Sequence, residues 1–408
     1  MNNTQTRRTN VWNRIFRYPR LGLILLTFIA FIALGMPDGL LGVAWPSIRM
    51  DFSIPLDSLG VLLIMTTTGY LTSSFFSGKV IASLGVGKVL AWSCTLTGLA
   101  LISYTLVPQW WMMVLLGITA GLGAGAIDAG LNTYVAAHFG EGVMQWLHAS
   151  YGVGVTLGPL IMTAALTSLK SWRPGYLTVG GFQLALAVCF FLTLPLWMQN
   201  GGSSEKTEQP KKITDYKTPL GETLRQPRVW LSTLLFYLYV GAEISLGMWA
   251  YTLLTESRGV PGEVAGLWTG SYWAMFTVGR ILAGLYTKRV GNTQLVMGSL
   301  LGALAGAVLL WWNPAVWANL LGVALIGLAI APIFPALISD TTRRVGMRFS
   351  ANTIGIQMAG GGLAMATIPG LMGVLARQIS LEIIPVCLSV LFAVLVGLFW
   401  LSLRGKTQ

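Results

Sequence analysis

Twelve long apolar windows run along the chain, and they limit its fold more strongly than any other feature. A membrane interior offers no partner to backbone N–H and C=O groups, so a crossing segment is a helix of about 20 apolar residues or a strand of a closed barrel. The windows have helical length, and only 10% of all residues are charged. The predicted spans are residues 21–46, 58–81, 88–107, 110–138, 146–169, 176–198, 229–254, 263–287, 294–312, 315–339, 351–376 and 382–403. We therefore predict an all-α integral membrane protein with twelve transmembrane helices.

The basic residues are divided unequally between the two sides of these spans. Loops on the side of both termini hold 20 Lys and Arg residues, whereas loops on the other side hold five. Because cytoplasmic loops are rich in Lys and Arg, both termini are predicted to be cytoplasmic and the protein to lie in the cell (inner) membrane. The first apolar run continues past any signal-peptide cleavage site, so it is expected to remain a span. The net charge of +12 is spread over short loops, and nucleic-acid binding is not expected.

A polar segment divides the spans into six and six. Residues 199–228 are rich in Gly, Ser, Pro and charged residues, a composition typical of a linker. We therefore predict an N-terminal six-helix bundle at 1–198, a cytoplasmic linker at 199–228 and a C-terminal six-helix bundle at 229–408.

The two halves carry matching basic turns. Gly78 lies at the end of span 2 and Gly85 just beyond it, with Lys88 three residues further on. Gly284 and Gly291 lie correspondingly at the end of span 8 and beyond it, 206 residues later. Equal spacing in equivalent loops indicates an internal repeat. We assign these glycines and Lys88 a structural or gating role.

The turn after span 2 resembles the signature of the major facilitator superfamily, Gly-x-Leu-Ala-Asp-Arg-x-Gly-Arg-Lys. The glycines and Lys88 match it, whereas Ala82 and Ser83 stand where the family has Asp and Arg. The charge relay that the family's turn carries is therefore not expected here. The resemblance implies two six-helix bundles, each an inverted repeat, that rock about a site near the midplane.

Four ionisable residues lie deep inside predicted spans: Asp38, Asp128, Glu243 and Arg280. Such a residue costs at least about 2.5 kcal/mol on insertion scales, so each is a candidate functional group. Asp38 lies in LGMPDGLLG, whose glycines and proline are expected to break the helix against a water-filled cavity. A cap on a helix kink is the alternative for this acid. Arg280 either gates by pairing with Glu243 or extends to the membrane surface.

Asp128 and Asn132 are four residues apart, so they lie on one face of span 4. Gly121 and Gly125 lie beside them and are expected to let a neighbouring helix approach closely. A carboxyl group and an amide facing a cavity suit sugar hydroxyl groups, and the carboxyl group can also carry a proton. Polar contact between helices is the alternative. At about 1.5 Å per residue, Asp38 and Asp128 differ in depth by about 10 Å, so a proton relay is expected rather than direct sharing.

The pairing of MPDGL in span 1 with IDAGLNTYV in span 4 resembles the fucose permease branch of this superfamily, the proton-coupled fucose, galactose and glucose symporters. There, span 1 carries Asp-Gly and span 4 carries an acid followed four residues later by Asn, as Asp38, Asp128 and Asn132 do here. LHASYGVGVTLGP, APIFPALISD and GIQMAGGGLAMATIPGLMG also look like segments of that branch. The resemblance implies sugar–proton symport, with Asp38 and Asp128 as the protonation and substrate-linked acids.

Further site residues are predicted from the chemistry of a sugar, which offers apolar faces to aromatic rings and hydroxyl groups to polar side chains. Glu243 has no counterpart in the fucose permease pattern and is assigned as a third coupling acid, with a hydroxyl acceptor as the alternative. The predicted substrate-binding residues are Asn132, Tyr151, Trp249, Tyr272, Trp273 and Gln357.

The leading functional hypothesis is a secondary active transporter that moves a monosaccharide or similar polyhydroxylated solute with protons by alternating access. No nucleotide-binding or hydrolytic motif is present, so an enzyme is not expected and a gradient must supply the energy. Gly154, Gly158 and Pro159 partly match a motif of family antiporters, which keeps a proton-coupled drug or metabolite exporter as the alternative. A non-transporting membrane sensor is a third hypothesis.

No cofactor or metal is expected, since the three cysteines lie in separate spans without the spacing of a metal site. Sodium coupling remains open, because carboxylates and free carbonyl groups near Asp38 suit that ion. The expected partners are a small-molecule solute and the lipid bilayer, and the protein is expected to be monomeric.

Overall fold

The computed structural model describes residues 19–139, 141–199, 218–286 and 290–404, and these ranges contain helices but no strands. The twelve long helices are α1 Pro19–Asp51, α2 Leu59–Leu84, α3 Val86–Tyr104, α4 Trp110–His138, α5 Glu141–Ser168, α6 Arg173–Gln199, α7 Pro227–Thr252, α8 Gly262–Tyr286, α9 Asn292–Trp312, α10 Val316–Ile330, α11 Met347–Gln378 and α12 Ile383–Arg404. A two-residue turn joins α10 to a second segment, Ile333–Ser339. Eleven predicted spans thus correspond to one long helix each, and the span at 315–339 corresponds to α10 with its second segment, which confirms the all-α multi-pass class.

The polarity of α8 distinguishes it from the other long helices. In the described residues, eleven helices are long and apolar enough to cross a membrane, and α8 is not among them. Its 25 residues include Glu263 and Arg280, which lower its mean hydropathy, but its length of about 37 Å would still cross a bilayer. α8 packs between α5 and α10. Protein contacts on two sides therefore allow this helix to be more polar than the rest.

Helix packing repeats between the two halves of the chain. The contacts α1–α5, α2–α4 and α3–α6 recur as α7–α11, α8–α10 and α9–α12, six helices later in each case. The halves meet through α2–α11, α5–α8 and α1–α7. This pattern agrees with an internal repeat. The domain boundaries remain a prediction, and residues 200–217 of the linker lie outside the described residues.

The two repeated turns also share an unusual backbone conformation. Gly85 ends α2 with a φ of 78°, and Gly291 precedes α9 with a φ of 27°. A positive φ is costly for a residue with a Cβ, so glycine suits both positions. Gly78 faces open space, Gly284 is helical, and Lys88 is exposed in the first turn of α3. The gating role of these residues remains a prediction.

The expected break of the first helix at Asp38 is wrong. α1 is continuous from Pro19 to Asp51 and includes Pro37. Gly35 and Gly39 instead face the backbone of α5, where an added Cβ would overlap Tyr151 O and Val155 O. These glycines therefore permit close helix packing, which sequence alone does not distinguish from helix breaking.

Two ion pairs join the halves at one end of the bundle. We call the end that carries residues 52–58, 169–172 and 379–382 the distal face, and the opposite end, where α1 begins and α12 ends, the terminal face. At the distal face, Arg49 Nη2 lies 2.6 Å from Glu256 Oε2, and Arg377 Nη1 lies 3.0 Å from Asp57 Oδ1. Every ion pair between the halves within the described ranges lies there.

Glycines reinforce this contact between the halves. Gly42 of α1 packs against the backbone of Gly247 in α7, where no Cβ would fit. Gly60 of α2 packs similarly against Gly370 of α11, with the position of an added Cβ only 3.0 Å from the Gly370 Cα. The halves are thus closely packed on the distal side of the bundle.

Candidate transport site

Asp38 of α1 is held by a tyrosine from α5. The Tyr151 hydroxyl group donates a hydrogen bond of 2.7 Å to Asp38 Oδ2. Both side chains are half-buried, and the close packing at Gly35 brings α5 near enough for this contact. The structure therefore brings together two residues that the sequence assigned separately to proton coupling and substrate binding.

Asp128 of α4 is held from two directions. Tyr70 of α2 donates a hydrogen bond to Asp128 Oδ2, and Asn132 Nδ2 donates to Asp128 Oδ1 at 2.8 Å. Gly121 and Gly125 face α2, where added Cβ atoms would overlap its backbone carbonyl groups, so the predicted close approach of a helix is confirmed. Because the Asn132 amide nitrogen is engaged with Asp128, its oxygen is the group left for a solute hydroxyl.

The two acids of the N-terminal half interact electrostatically but do not share a hydrogen bond. Asp38 and Asp128 are near enough for their charges to influence each other, while each bonds to its own tyrosine. Within the described ranges neither acid has a Lys, Arg or His partner in an ion pair. Their negative charge is therefore not neutralised by a fixed cation.

Glu243 of α7 lies in a more enclosed setting. Its side chain accepts a hydrogen bond from Tyr239, and its backbone carbonyl accepts one of 2.7 Å from the Tyr272 hydroxyl. The residue is only 9% exposed. Arg280 acts on it electrostatically, although these two described residues form no ion pair and the guanidinium carbon lies 4.2 Å from the Phe276 ring centroid. Arg280 therefore provides this acid with a nearby cation that the other two lack.

Four predicted substrate-binding residues of the C-terminal half are closed off in this conformation. The Trp249 indole donates to a backbone carbonyl of α11 at 3.0 Å, and Trp273 is 1% exposed. The Gln357 amide donates to Ser232 Oγ at 2.8 Å and accepts from Thr341 at 3.0 Å. Tyr272 is also fully buried. Their binding roles remain predictions, because a solute would reach them only after rearrangement.

Tyr70 is the main site residue that the sequence prediction missed. It follows Thr66, Thr67, Thr68 and Gly69, a hydroxyl-rich run that is unusual in a membrane span. That run was the available signal. Its pairing with Asp128 depends on the packing of α2 against α4, which the sequence did not specify.

The described residues contain no group of three or more His, Cys, Asp or Glu side chains that could hold a metal ion. The expected lack of a cofactor remains a prediction. The chemistry available at this site is hydrogen bonding to hydroxyl groups and uptake or release of a cation by the carboxyl groups.

The helices, the repeat and the buried acids together define a multi-pass membrane transporter. A family model for the Major Facilitator Superfamily matches residues 23–369. The chain belongs to the Major Facilitator Superfamily, and it is a transporter rather than an enzyme.

Relatives with similar sequences include transporters for sugars. The glucose/mannose transporter GlcP of Bacillus subtilis is 21% identical over 394 residues, which cover 95% of this chain and 96% of that protein. The sodium-dependent glucose transporter 1 of Homo sapiens is 23% identical and covers 85% of this chain, with 72% of its own length matched. These relatives agree with the resemblance to the fucose permease branch.

Solved structures share the fold. The nucleoside transporter NupG superposes with a TM-score of 0.75 at 15% identity and covers 95% of this chain and 99% of its own. A bacterial homologue of the human lysosomal transporter Spinster, in an inward-facing and occupied conformation, has a TM-score of 0.70 at 14% identity over 94% of this chain and 97% of its own. At these identities the likeness concerns the fold alone.

Proposed function

We propose that the protein is a proton-coupled symporter that carries a monosaccharide or similar polyhydroxylated solute by alternating access. Asp38 and Asp128 take up and release the proton, and Glu243 acts as a third coupling acid. Asn132 and Tyr151 contact the solute first. The buried residues Trp249, Tyr272, Trp273 and Gln357 contact it only when the C-terminal half rearranges.

The observation that carries this proposal is the absence of a fixed cation beside Asp38 and Asp128 within the described residues. A carboxylate in a membrane interior is costly unless it is neutralised. Since no Lys or Arg neutralises these two, a mobile cation must do so when the site is enclosed. A proton satisfies this need without requiring further ligands.

The surroundings of these acids support a polyhydroxylated solute. The half-buried groups on the N-terminal side are two carboxyl groups, one amide and two tyrosine hydroxyl groups. Such a set both donates to and accepts from hydroxyl groups, and it offers no cationic group to recognise an anion. The names of the relatives, which include glucose and mannose, support a sugar as the solute.

We propose that both termini lie in the cytoplasm of a cell (inner) membrane and that the protein is monomeric. The distribution of Lys and Arg among the loops supports this orientation. In that orientation the distal face is external. The ion pairs and close glycine contacts there then close the outer end, so the structure corresponds to a state in which the site is shut off from outside. Gly78, Gly85, Lys88, Gly284, Gly291 and Arg280 would act in the return to the opposite state.

Uptake into proteoliposomes tests the proposal. Radiolabelled glucose, mannose, galactose and fucose, with uridine for comparison, are offered under an inward proton gradient, an inward sodium gradient or neither. We expect accumulation of at least one sugar that requires the proton gradient alone. Three results would contradict the proposal. Accumulation with the sodium gradient alone would indicate sodium symport, and gradient-driven efflux would indicate export. Binding without flux would indicate a sensor.

Matched variants sharpen this experiment. Asp128→Asn imitates a permanently protonated carboxyl group, so it should abolish gradient-driven accumulation while sugar exchange without a gradient continues. Asp51→Asn is the control, because Asp51 is bonded to Trp172 and Arg173 at the distal face, away from the site. Asp128→Asn protein that still accumulates sugar at the wild-type level would contradict the coupling role.

A further inference from the structure

A buried arginine near the terminal face has unused hydrogen-bonding capacity. Arg344 lies in the short helix Thr341–Val345, and its side chain is only 6% exposed. Its Nε donates to Asp340 Oδ2 at 2.9 Å, and its guanidinium carbon lies 5.0 Å from the Phe399 ring centroid. Both terminal nitrogens, Nη1 and Nη2, are buried without a hydrogen-bond partner. Four N–H groups of a buried cation are thus unsatisfied.

The local charges leave this arginine incompletely neutralised. Asp340 shares its carboxylate with Arg343, whose Nε lies 2.9 Å from Oδ1, so one acid serves two guanidinium groups. Burying an unpaired polar group is unfavourable, and guanidinium groups suit oxyanions that accept two parallel hydrogen bonds. The arrangement is therefore suited to an added anion.

A cavity beside Arg344 offers space for such an anion. It has a volume of about 90 Å³ and lies between α7 and α12, with Arg228, Ser232, Arg344, Leu401 and Ser402 in its wall. Arg228 and Leu401 are exposed, so the cavity connects to the outer surface of the bundle. It is separate from the acids of the transport site, which lie on α1, α4 and α7.

The position of the cavity identifies the source of the anion. Trp230 is 53% exposed and Trp400 is 45% exposed, on the same two helices beside the cavity. Exposed tryptophans are typical of the headgroup level of a membrane, and basic pockets between helices at that level bind acidic lipid headgroups. We propose that Arg344 and Arg228 form a binding site for the phosphate group of an anionic phospholipid in the leaflet on the side of the termini.

Native mass spectrometry of the purified protein tests this site. The protein is titrated with phosphatidylglycerol, with phosphatidylcholine as the zwitterionic comparison, and with inorganic phosphate as a competitor. We expect one phosphatidylglycerol molecule to bind in preference to phosphatidylcholine and to resist millimolar phosphate. Displacement of the lipid by inorganic phosphate, or equal binding of both lipids, would overturn the proposal in favour of a free-anion site or a non-selective lipid surface.

Three variants separate this site from general surface charge. Arg344→Gln should weaken phosphatidylglycerol binding at least about tenfold, since hydrogen bonds from a charged donor are lost. Arg343→Gln is the matched control, because it bonds the same Asp340 but is 58% exposed, and it should bind as wild type. If Arg344→Gln does not fold, Ser402→Glu places a carboxylate in the cavity and should exclude the lipid. Unchanged binding in Ser402→Glu, or equal loss in Arg343→Gln, would overturn the proposal.

Discussion

The two ion pairs at the distal face should bias the protein toward the state in which that face is closed. Glu256→Gln removes the partner of Arg49, and Asp57→Asn removes the partner of Arg377, with little change in side-chain shape. The four side chains are between 23% and 55% exposed, so water screens both pairs. Pairs of this kind contribute about 0.2–1 kcal/mol each. Together they favour the closed state by at most about 2 kcal/mol.

This energy sets the size of the expected effect. A change of about 2 kcal/mol alters a ratio of populations about 30-fold. The lower limit for the two pairs together, about 0.4 kcal/mol, alters the ratio about twofold. The double variant should therefore raise the ratio of distal-open to distal-closed molecules by about 2- to 30-fold. High salt should have a similar effect on the wild-type protein, because the Debye length at 1 M ionic strength is only about 3 Å.

Spin-label distance measurement across the distal face is the appropriate assay. Labels are attached to cysteines at Leu169 and Ile379, which are exposed positions just after α5 and α11, in a protein whose Cys94, Cys189 and Cys387 are replaced by alanine. Molecules with the longer distance between the two labels, in which the distal face is open, should become more populated in the double variant.

The matched control is Arg173→Gln. It breaks the 2.6 Å ion pair with Asp51 at the same face, but that pair lies within the N-terminal half, so the distances should not change. Restoration of the wild-type distances by the exchanged pair Arg49→Glu with Glu256→Arg would support a direct contact. An unchanged distance distribution in the double variant, or an equal change in Arg173→Gln, would refute the reasoning.

Four further predictions concern the same fold and site. Arg258→Met should destabilise the protein by about 1–3 kcal/mol in thermal unfolding, because this buried guanidinium group bonds Glu382 and Asn319, and its loss leaves the buried Asn319 oxygen without that donor. A change below about 1 kcal/mol would contradict this. The hydrogen bonds from Arg258 lower the pKa of Glu382. The stabilisation that the ionised Glu382 gives the folded protein is therefore complete above the ordinary glutamate pKa and is lost as the pH falls toward the lower pKa of the folded state. A thermal midpoint that does not decline over that acidic range would count against the pairing. Tyr70→Phe removes a hydrogen bond to Asp128 worth about 1.5–3 kcal/mol, so initial rates of gradient-driven uptake should fall at least about tenfold; wild-type rates would show that the bond is unimportant. Gly121→Val should lower the free energy of unfolding by about 1–3 kcal/mol, because the added side chain overlaps the α2 backbone. An unchanged thermal midpoint would show that α2 and α4 can separate without cost.

The helices were predictable because apolar length is imposed by the membrane itself. The span predicted at 110–138 coincides with α4, Trp110–His138, whereas the span at 21–46 falls short of α1, Pro19–Asp51. A hydrophobic window reports the thickness of the lipid core, and a helix continues beyond it wherever polar residues such as Arg49 can reach water or a partner. Helix ends therefore depend on loop contacts that the window does not contain.

The acids of the candidate site were predictable for a related reason. A carboxylate such as Asp128 is conspicuous in an apolar span, whereas Tyr70 is marked only by the hydroxyl-rich run that precedes it. The structure adds the partners, since the bond between Tyr70 and Asp128 follows from the close approach of α2 and α4 at Gly121. The glycines of LGMPDGLLG were misread because glycine serves both flexible backbone and tight packing, and only the position of α5 decides between them.

Proton movement driven by sugar tests the central claim most directly. Proteoliposomes without a proton or sodium gradient are loaded with a pH-sensitive dye. The transported sugar is then added outside in sodium-free buffer. We expect sugar entry to acidify the interior, and we expect Asp128→Asn protein, which exchanges sugar, to produce no acidification. Sugar entry without any pH change in the wild-type protein, or acidification that persists in Asp128→Asn, would contradict the assignment of Asp128 as a proton-coupling acid.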